Sequence, residues 1–145
     1  MNIEIYSLLE SAGWYEHRSI NIDYEMEILQ REGFTLPNSE ICALIKKFWN
    51  LKIEFTLPDG NLSDIELNIE SAIQSIELET VNIYEIKAGK KLIPVGVLYF
   101  QTGLVLASLD SNFYLTNSGV LYRISDSFIG FLNITINRKE LEMFG

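Results

Sequence analysis

The chain holds one histidine and one cysteine in 145 residues, three prolines, and no unbroken apolar run of membrane length. Each shortage narrows the function. A Ser–His or Cys–His catalytic pair would have to use His17, which lies between Glu16 and Arg18 in a stretch that reads as a surface turn. A solvated histidine is expected there. Cys42 can form no internal disulfide, and its place beside Ile41 and near Leu44 reads as a small buried hydrophobe. With one residue of each kind, a zinc site would need an unusual set of carboxylates, and no metal or cofactor is expected. Asp59-Gly60-Asn61 and Asp64 lack the spacing of a calcium loop, and no glycine-rich phosphate loop is present. Two carboxylates suffice for glycoside hydrolysis. Here the acids fall mostly on outward positions and near turns, with no aromatic-lined groove evident, so no catalytic residues are assigned and an enzyme is not expected. The apolar stretches Pro94–Phe100 and Gly103–Leu109 are too short and broken to span a bilayer, and Met1-Asn2-Ile3-Glu4 shows no secretory pattern. With the lone cysteine, this fits a cytoplasmic protein with no membrane partner.

What the chain does have is acid and a core. It is 48% hydrophobic, enough for one packed domain over residues 1–145, and its net charge is −9. Residues 1–49 carry eight acids and four bases, residues 50–89 eight and two, and residues 90–145 four and five. An acidic front two-thirds argues against direct nucleic-acid binding, which needs cations to replace counterions. It suits a basic protein partner steered in by charge. It equally serves solubility.

The period of the apolar residues divides the chain. Ile3, Tyr6, Leu8, Leu9 and Ala12 predict a helix over 2–12 closed by Gly13. A second helix spans 22–32, ended by Gly33, and a third begins at a cap on Asn38 or Ser39 with Ile41, Leu44, Ile45 and Phe48 inside. Residues 70–89 hold one or two short helices. Strands follow over 92–100, 103–109, 112–116 and 119–124, with turns at Gln101-Thr102-Gly103, Asp110-Ser111 and Asn117-Ser118-Gly119. Ser125 or Asp126 can cap a last helix through about Lys139, although Ile134, Thr135 and Ile136 are strand formers.

Between these segments lies a hairpin. Leu51, Ile53, Phe55 and Leu57 alternate with polar residues, as do Ile65, Leu67 and Ile69, across Pro58-Asp59-Gly60-Asn61. A three-residue loop Asp59–Asn61 places Phe55 opposite Ile65 and Ile53 opposite Leu67, keeping the apolar faces together. That register sets Glu54 against Glu66, with Asp64 opposite Thr56 and Lys52 only diagonal to Glu66. Like charges directly opposite are unfavourable unless they meet a cation. The expected partner-binding face is therefore Glu54, Asp59, Asp64, Glu66 and Glu70 against basic residues. A merely solvated acidic face is the plainer reading of the same residues.

The segment Gly13-Trp14-Tyr15-Glu16-His17-Arg18 is the most distinctive in the chain. Trp14 reads as a core residue packing the first helix onto the sheet rather than as an exposed anchor, with Arg18 fixing the turn through a carboxylate or carbonyls. Taken with Gly33, with Phe48-Trp49 running into Leu51-Lys52-Ile53, with Pro94-Val95-Gly96 and with Gly119-Val120-Leu121-Tyr122, it resembles the SUKH superfamily, the Smi/Knr-like proteins, and most closely the bacterial immunity branch with a Gly-Trp-x-x-x-Arg start. The chain departs at Trp49-Asn50-Leu51, where the family often has a paired glycine. The resemblance implies an α+β fold, a mixed and mostly antiparallel sheet of about six strands with N-terminal, central and C-terminal helices packed on it. It also implies an immunity protein that binds and neutralises the toxin domain, often a nuclease, of a polymorphic or contact-dependent system. The alternative is a regulatory scaffold for endogenous partners, as in eukaryotic members. Neither reading carries catalytic residues.

Overall fold

The computed structural model describes residues 3–99, 103–117 and 119–137 and the backbone of 142–144. Three helices come first: α1 (Ile3–Ser11), α2 (Asp23–Arg31) and α3 (Ser39–Phe48). The hairpin β1 (Leu51–Thr56) and β2 (Leu62–Leu67) follows, then α4 (Ile69–Gln74) and α5 (Leu78–Ala88). The chain continues through β3 (Leu92–Leu98), β4 (Gly103–Ser108), β5 (Phe113–Asn117) and β6 (Val120–Ser125) to α6 (Phe128–Asn137) and β7 (Glu142–Phe144). The strands form one sheet in the order β1-β2-β3-β4-β5-β6-β7, every described pairing antiparallel. The short β7 adds one strand to those expected. The expected strand end at Phe100, the turn residues Gln101, Thr102 and Ser118, and a helix end at Lys139 lie outside the described residues.

Alternation along each strand sorts residues onto two faces. Ile53, Ile65 and Leu98 share one row, and Val105 pairs with Leu115 on the same face. That face receives α1, α3 and α6. Phe113 meets Phe128 and Phe131 with ring centroids 5.8 and 5.7 Å apart, and Phe48 meets Phe128 at 4.7 Å. On the opposite face, Glu66, Val97, Leu104 and Thr116 form a row. It receives α4 and α5: the Thr116 hydroxyl donates to the Tyr84 hydroxyl at 2.7 Å. Cover on both sides explains why β3 and β4 are buried at every position and read as continuous apolar runs.

Local chemistry fixes the ends. The Asn38 side chain accepts from the Ile41 amide at 3.1 Å and starts α3. Gly89, at φ 68°, ends α5. The cap of α6 is Ser127, one or two residues beyond the expected Ser125 or Asp126. Its hydroxyl accepts from the Gly130 amide at 3.0 Å while its carbonyl takes the Phe131 amide. Ser125 supports it by accepting from the Ser127 amide. Ile134, Thr135 and Ile136 are helical against their propensity because the helix buries Phe128, Phe131, Leu132, Thr135 and Ile136 on the sheet. Thr135 satisfies its hydroxyl on the Phe131 carbonyl at 2.8 Å.

Between Pro94 and Gly96 the β3–β4 register shifts, leaving a bulge at Val95. The Val95 carbonyl is taken by the Trp49 indole N–H at 2.7 Å. Trp49 is 1% exposed and joins the end of α3 to the middle of the sheet.

Candidate partner-binding face

The β1–β2 hairpin closes differently from the expectation. The Leu57 amide donates to the Asn61 carbonyl at 2.7 Å, and the Gly60 amide to the Leu57 carbonyl at 2.9 Å. The loop is therefore Pro58-Asp59-Gly60, with proline at the second position of the turn and Gly60 at φ 90° closing it. Asp59 accepts from the Asn61 amide at 2.9 Å. The register follows: Ile53 pairs with Ile65, Glu54 with Asp64, and Lys52 with Glu66. It is two residues away from the one expected. Such a slip keeps every side chain on its face, so facial matching cannot detect it. The residues proline and left-handed glycine demand at a turn do.

The five acids assigned to this face are consequently in unequal settings. Glu54 and Asp59 are exposed. Asp64 is buried, directly opposite Glu54, and sits 3.7 Å from the Lys52 ammonium. Glu66 is half-buried and accepts from the Ser71 hydroxyl of α4 at 3.2 Å. Glu70, on α4, accepts from the Tyr24 hydroxyl of α2, and this carboxylate raises the Tyr24 pKa above its ordinary value. The like-charge pair across the hairpin is thus Glu54 with Asp64, not Glu54 with Glu66. Beyond it the structure brings Tyr24 against Glu70, a junction of α2 with α4 that periodicity within either helix does not reveal.

The Gly13–Arg18 segment is a clamp. Gly13 takes φ 109°, and Trp14 stacks on Phe48 and tilts against Tyr6, each with centroids 5.8 Å apart. Arg18 donates to the carbonyls of Lys47 and Trp49 at 3.1 and 2.7 Å. Carbonyls at a helix C-terminus lack intrahelical partners and carry partial negative charge, so a guanidinium suits them. Trp14 therefore packs α1 against the end of α3, as a core residue. His17 is exposed with φ 66°, and Cys42 is half-buried with its thiol 3.7 Å from the Pro37 carbonyl.

An open cleft of about 630 Å³ lies where the α4–α5 connection meets the ends of β4 and β5, lined in part by Glu77, Thr80, Tyr84, Thr116 and Asn117. Its lining includes neither the histidine nor the cysteine. Among the described residues no group of three or more His, Cys, Asp or Glu side chains could hold a metal ion, and no helix is long and apolar enough to cross a membrane.

No curated protein and no solved structure matches the chain. One family profile does, described as SUKH-3 immunity protein, over residues 1–137. That span runs from the first residue to the end of α6 and takes in the clamp, both helical layers and six of the seven strands. The chain belongs to the SUKH-3 immunity protein family.

Proposed function

We propose that this protein binds the toxin domain of a polymorphic or contact-dependent system in the cytoplasm of the producing bacterium and blocks it by occupancy, without turnover. The family match over residues 1–137 carries the reading. The charge distribution supports a toxin with a basic surface, such as a nuclease, because the acids concentrate in the first 89 residues. The docking face we propose is the hairpin and its continuation onto α4: Glu54 and Asp59 in direct reach, Glu66 and Glu70 at its rim, and Asp64 beneath, adding field rather than contact. Co-expression with the neighbouring open reading frame tests the function. A one-to-one complex on pull-down, and growth restored in cells expressing that neighbour, are expected. Neither complex nor protection would end the immunity reading. Reversing Glu54 and Asp59 together to lysine is expected to slow association and flatten its salt dependence. Unchanged rate and salt slope would place the docking face elsewhere.

A further inference from the structure

The strand β1 ends the sheet, with no described strand on its outer edge. The Leu57–Asn61 bond decides which groups lie on that edge. Bonded pairs alternate along an antiparallel ladder, so Phe55, Ile53 and Leu51 turn their amides and carbonyls toward β2. Lys52, Glu54 and Thr56 turn theirs away, and their side chains are exposed. Among the described residues no strand pairs with this edge. Free amides and carbonyls on an exposed end strand are a template for another strand.

The side chains say which strand fits. Glu54 faces the like charge of Asp64, while the one cation on the strand, Lys52, stands 3.7 Å from Asp64. We propose that the outer edge of β1 pairs antiparallel with β1 of a second copy, about a two-fold axis through Ile53. In that register Lys52 of each copy stands opposite Glu54 of the other. Moving the axis by one residue sets Lys52 against Lys52 or Glu54 against Glu54, and both are repulsive. Charge therefore selects one self-complementary register, as a two-fold interface requires. A row of side chains then runs Asp64, Glu54, Lys52 of the second copy, Glu66 of the second copy. Glu54 gains an opposed cation, and each lysine lies between carboxylates. The apolar residues Leu51, Ile53 and Phe55 stay on the helix-covered side in both copies. A six-residue edge is small beside a standard interface of about 1,600 Å², so the association is weak and rises with concentration.

Sedimentation velocity up to about 1 mM chain tests it. The unmodified protein is expected to shift from monomer toward dimer, with the amides of Lys52 and Glu54 gaining exchange protection over the same range. Lys52→Glu and Glu54→Lys should each remain monomeric while folded. Their equimolar mixture should dimerise again, because the charges opposed across the two β1 strands are then complementary. A chain that stays monomeric throughout, a dimer indifferent to both reversals, or a mixture of folded variants that fails to recover each overturns the inference. If a single variant does not fold, amide exchange in the unmodified protein decides alone. A monomer that still neutralises a toxin would sink this inference and leave the proposed function intact; a dimer without a toxin partner would do the reverse.

Discussion

The hairpin β1–β2 and the central strands β3–β5 are built from the same antiparallel pairing but have different cover. In β1 every second residue is exposed, whereas β3 and β4 are buried throughout. A strand with helices on both sides has no freedom to carry charge. A strand with one open side can, and β1 carries Lys52 and Glu54 there, opposite the half-buried Glu66 and the buried Asp64 of β2. The packed core and the docking face proposed above therefore lie on different strands of one sheet.

Substitution in the two regions should separate these roles most widely at Phe113. It is 1% exposed between Phe128 and Phe131, and Phe113→Ala is expected to cost about 3–5 kcal/mol in urea unfolding. Glu54→Ala, on the open side, should stay within about 0.5 kcal/mol. Comparable losses at both sites would erase the distinction. Trp14→Ala belongs with the first class, at about 3–5 kcal/mol, because its ring is stacked on Phe48. Any loss of protection should follow the amount of folded protein. A variant that melts like the parent yet no longer binds its partner would make Trp14 a contact residue instead.

The seam between the regions offers the next test. A Cβ on Gly96 would lie 2.7 Å from the Glu66 carbonyl oxygen, a backbone atom that cannot swing aside. Gly96→Ala is expected to cost about 1–3 kcal/mol and to raise amide exchange in β2 more than in β5. Uniform exchange would mean that hairpin and centre open as one unit.

The smallest effect is expected at an exposed end of the central strands. Asp110, in the β4–β5 turn, bonds Lys90 at 2.7 Å and accepts from the Ser108 hydroxyl. The Lys90 ammonium first, then the Ser108 hydroxyl, hold its carboxyl well below the usual carboxylate range. A carboxyl with a depressed folded pKa adds stability that is present above its unfolded pKa of about 3.9 and lost as pH falls through the folded value. Asp110 is 55% exposed, so the pair should contribute at most about 1 kcal/mol near neutrality. Asp110→Asn should therefore melt slightly below the parent at pH 7, with the gap closing below about pH 4. A gap that widens with acid would reverse the sign of this linkage.

The sequence reveals the two regions unequally, and the reasons are local. Strand positions in the centre follow from short, mostly apolar runs between turn residues. The hairpin faces follow from alternation, but their offset does not, since a two-residue slip leaves Ile53 and Ile65 inside either way. Pro58 and Gly60 carry the missing information in their turn preferences. At Asn50 the backbone takes φ 60°, and asparagine is among the few side chains that enter that region readily. In α5, Ile83 and Ile86 are exposed at 53% and 82%, so apolar character there does not mark the buried side. Among the acids, burial of Asp64 and the Tyr24–Glu70 contact arise from distant segments meeting, which no spacing within one element encodes.

The spatial order of the strands repeats their order along the chain from β1 to β7. Each new strand therefore needs only its predecessor, and the entropy of closing a connection stays small except across the α4–α5 passage between β2 and β3 and the α6 passage between β6 and β7. During synthesis, at roughly 5–20 residues per second, the sheet can lengthen in the direction of translation, with β1 and β2 already available when β3 emerges. The Trp49 bond to Val95, spanning 46 residues, and the Asn38 bond to the Leu109 carbonyl, spanning 71, wait for the α4–α5 passage to be complete. The ribosome thus delivers this fold nearly in the sequence in which it can be assembled.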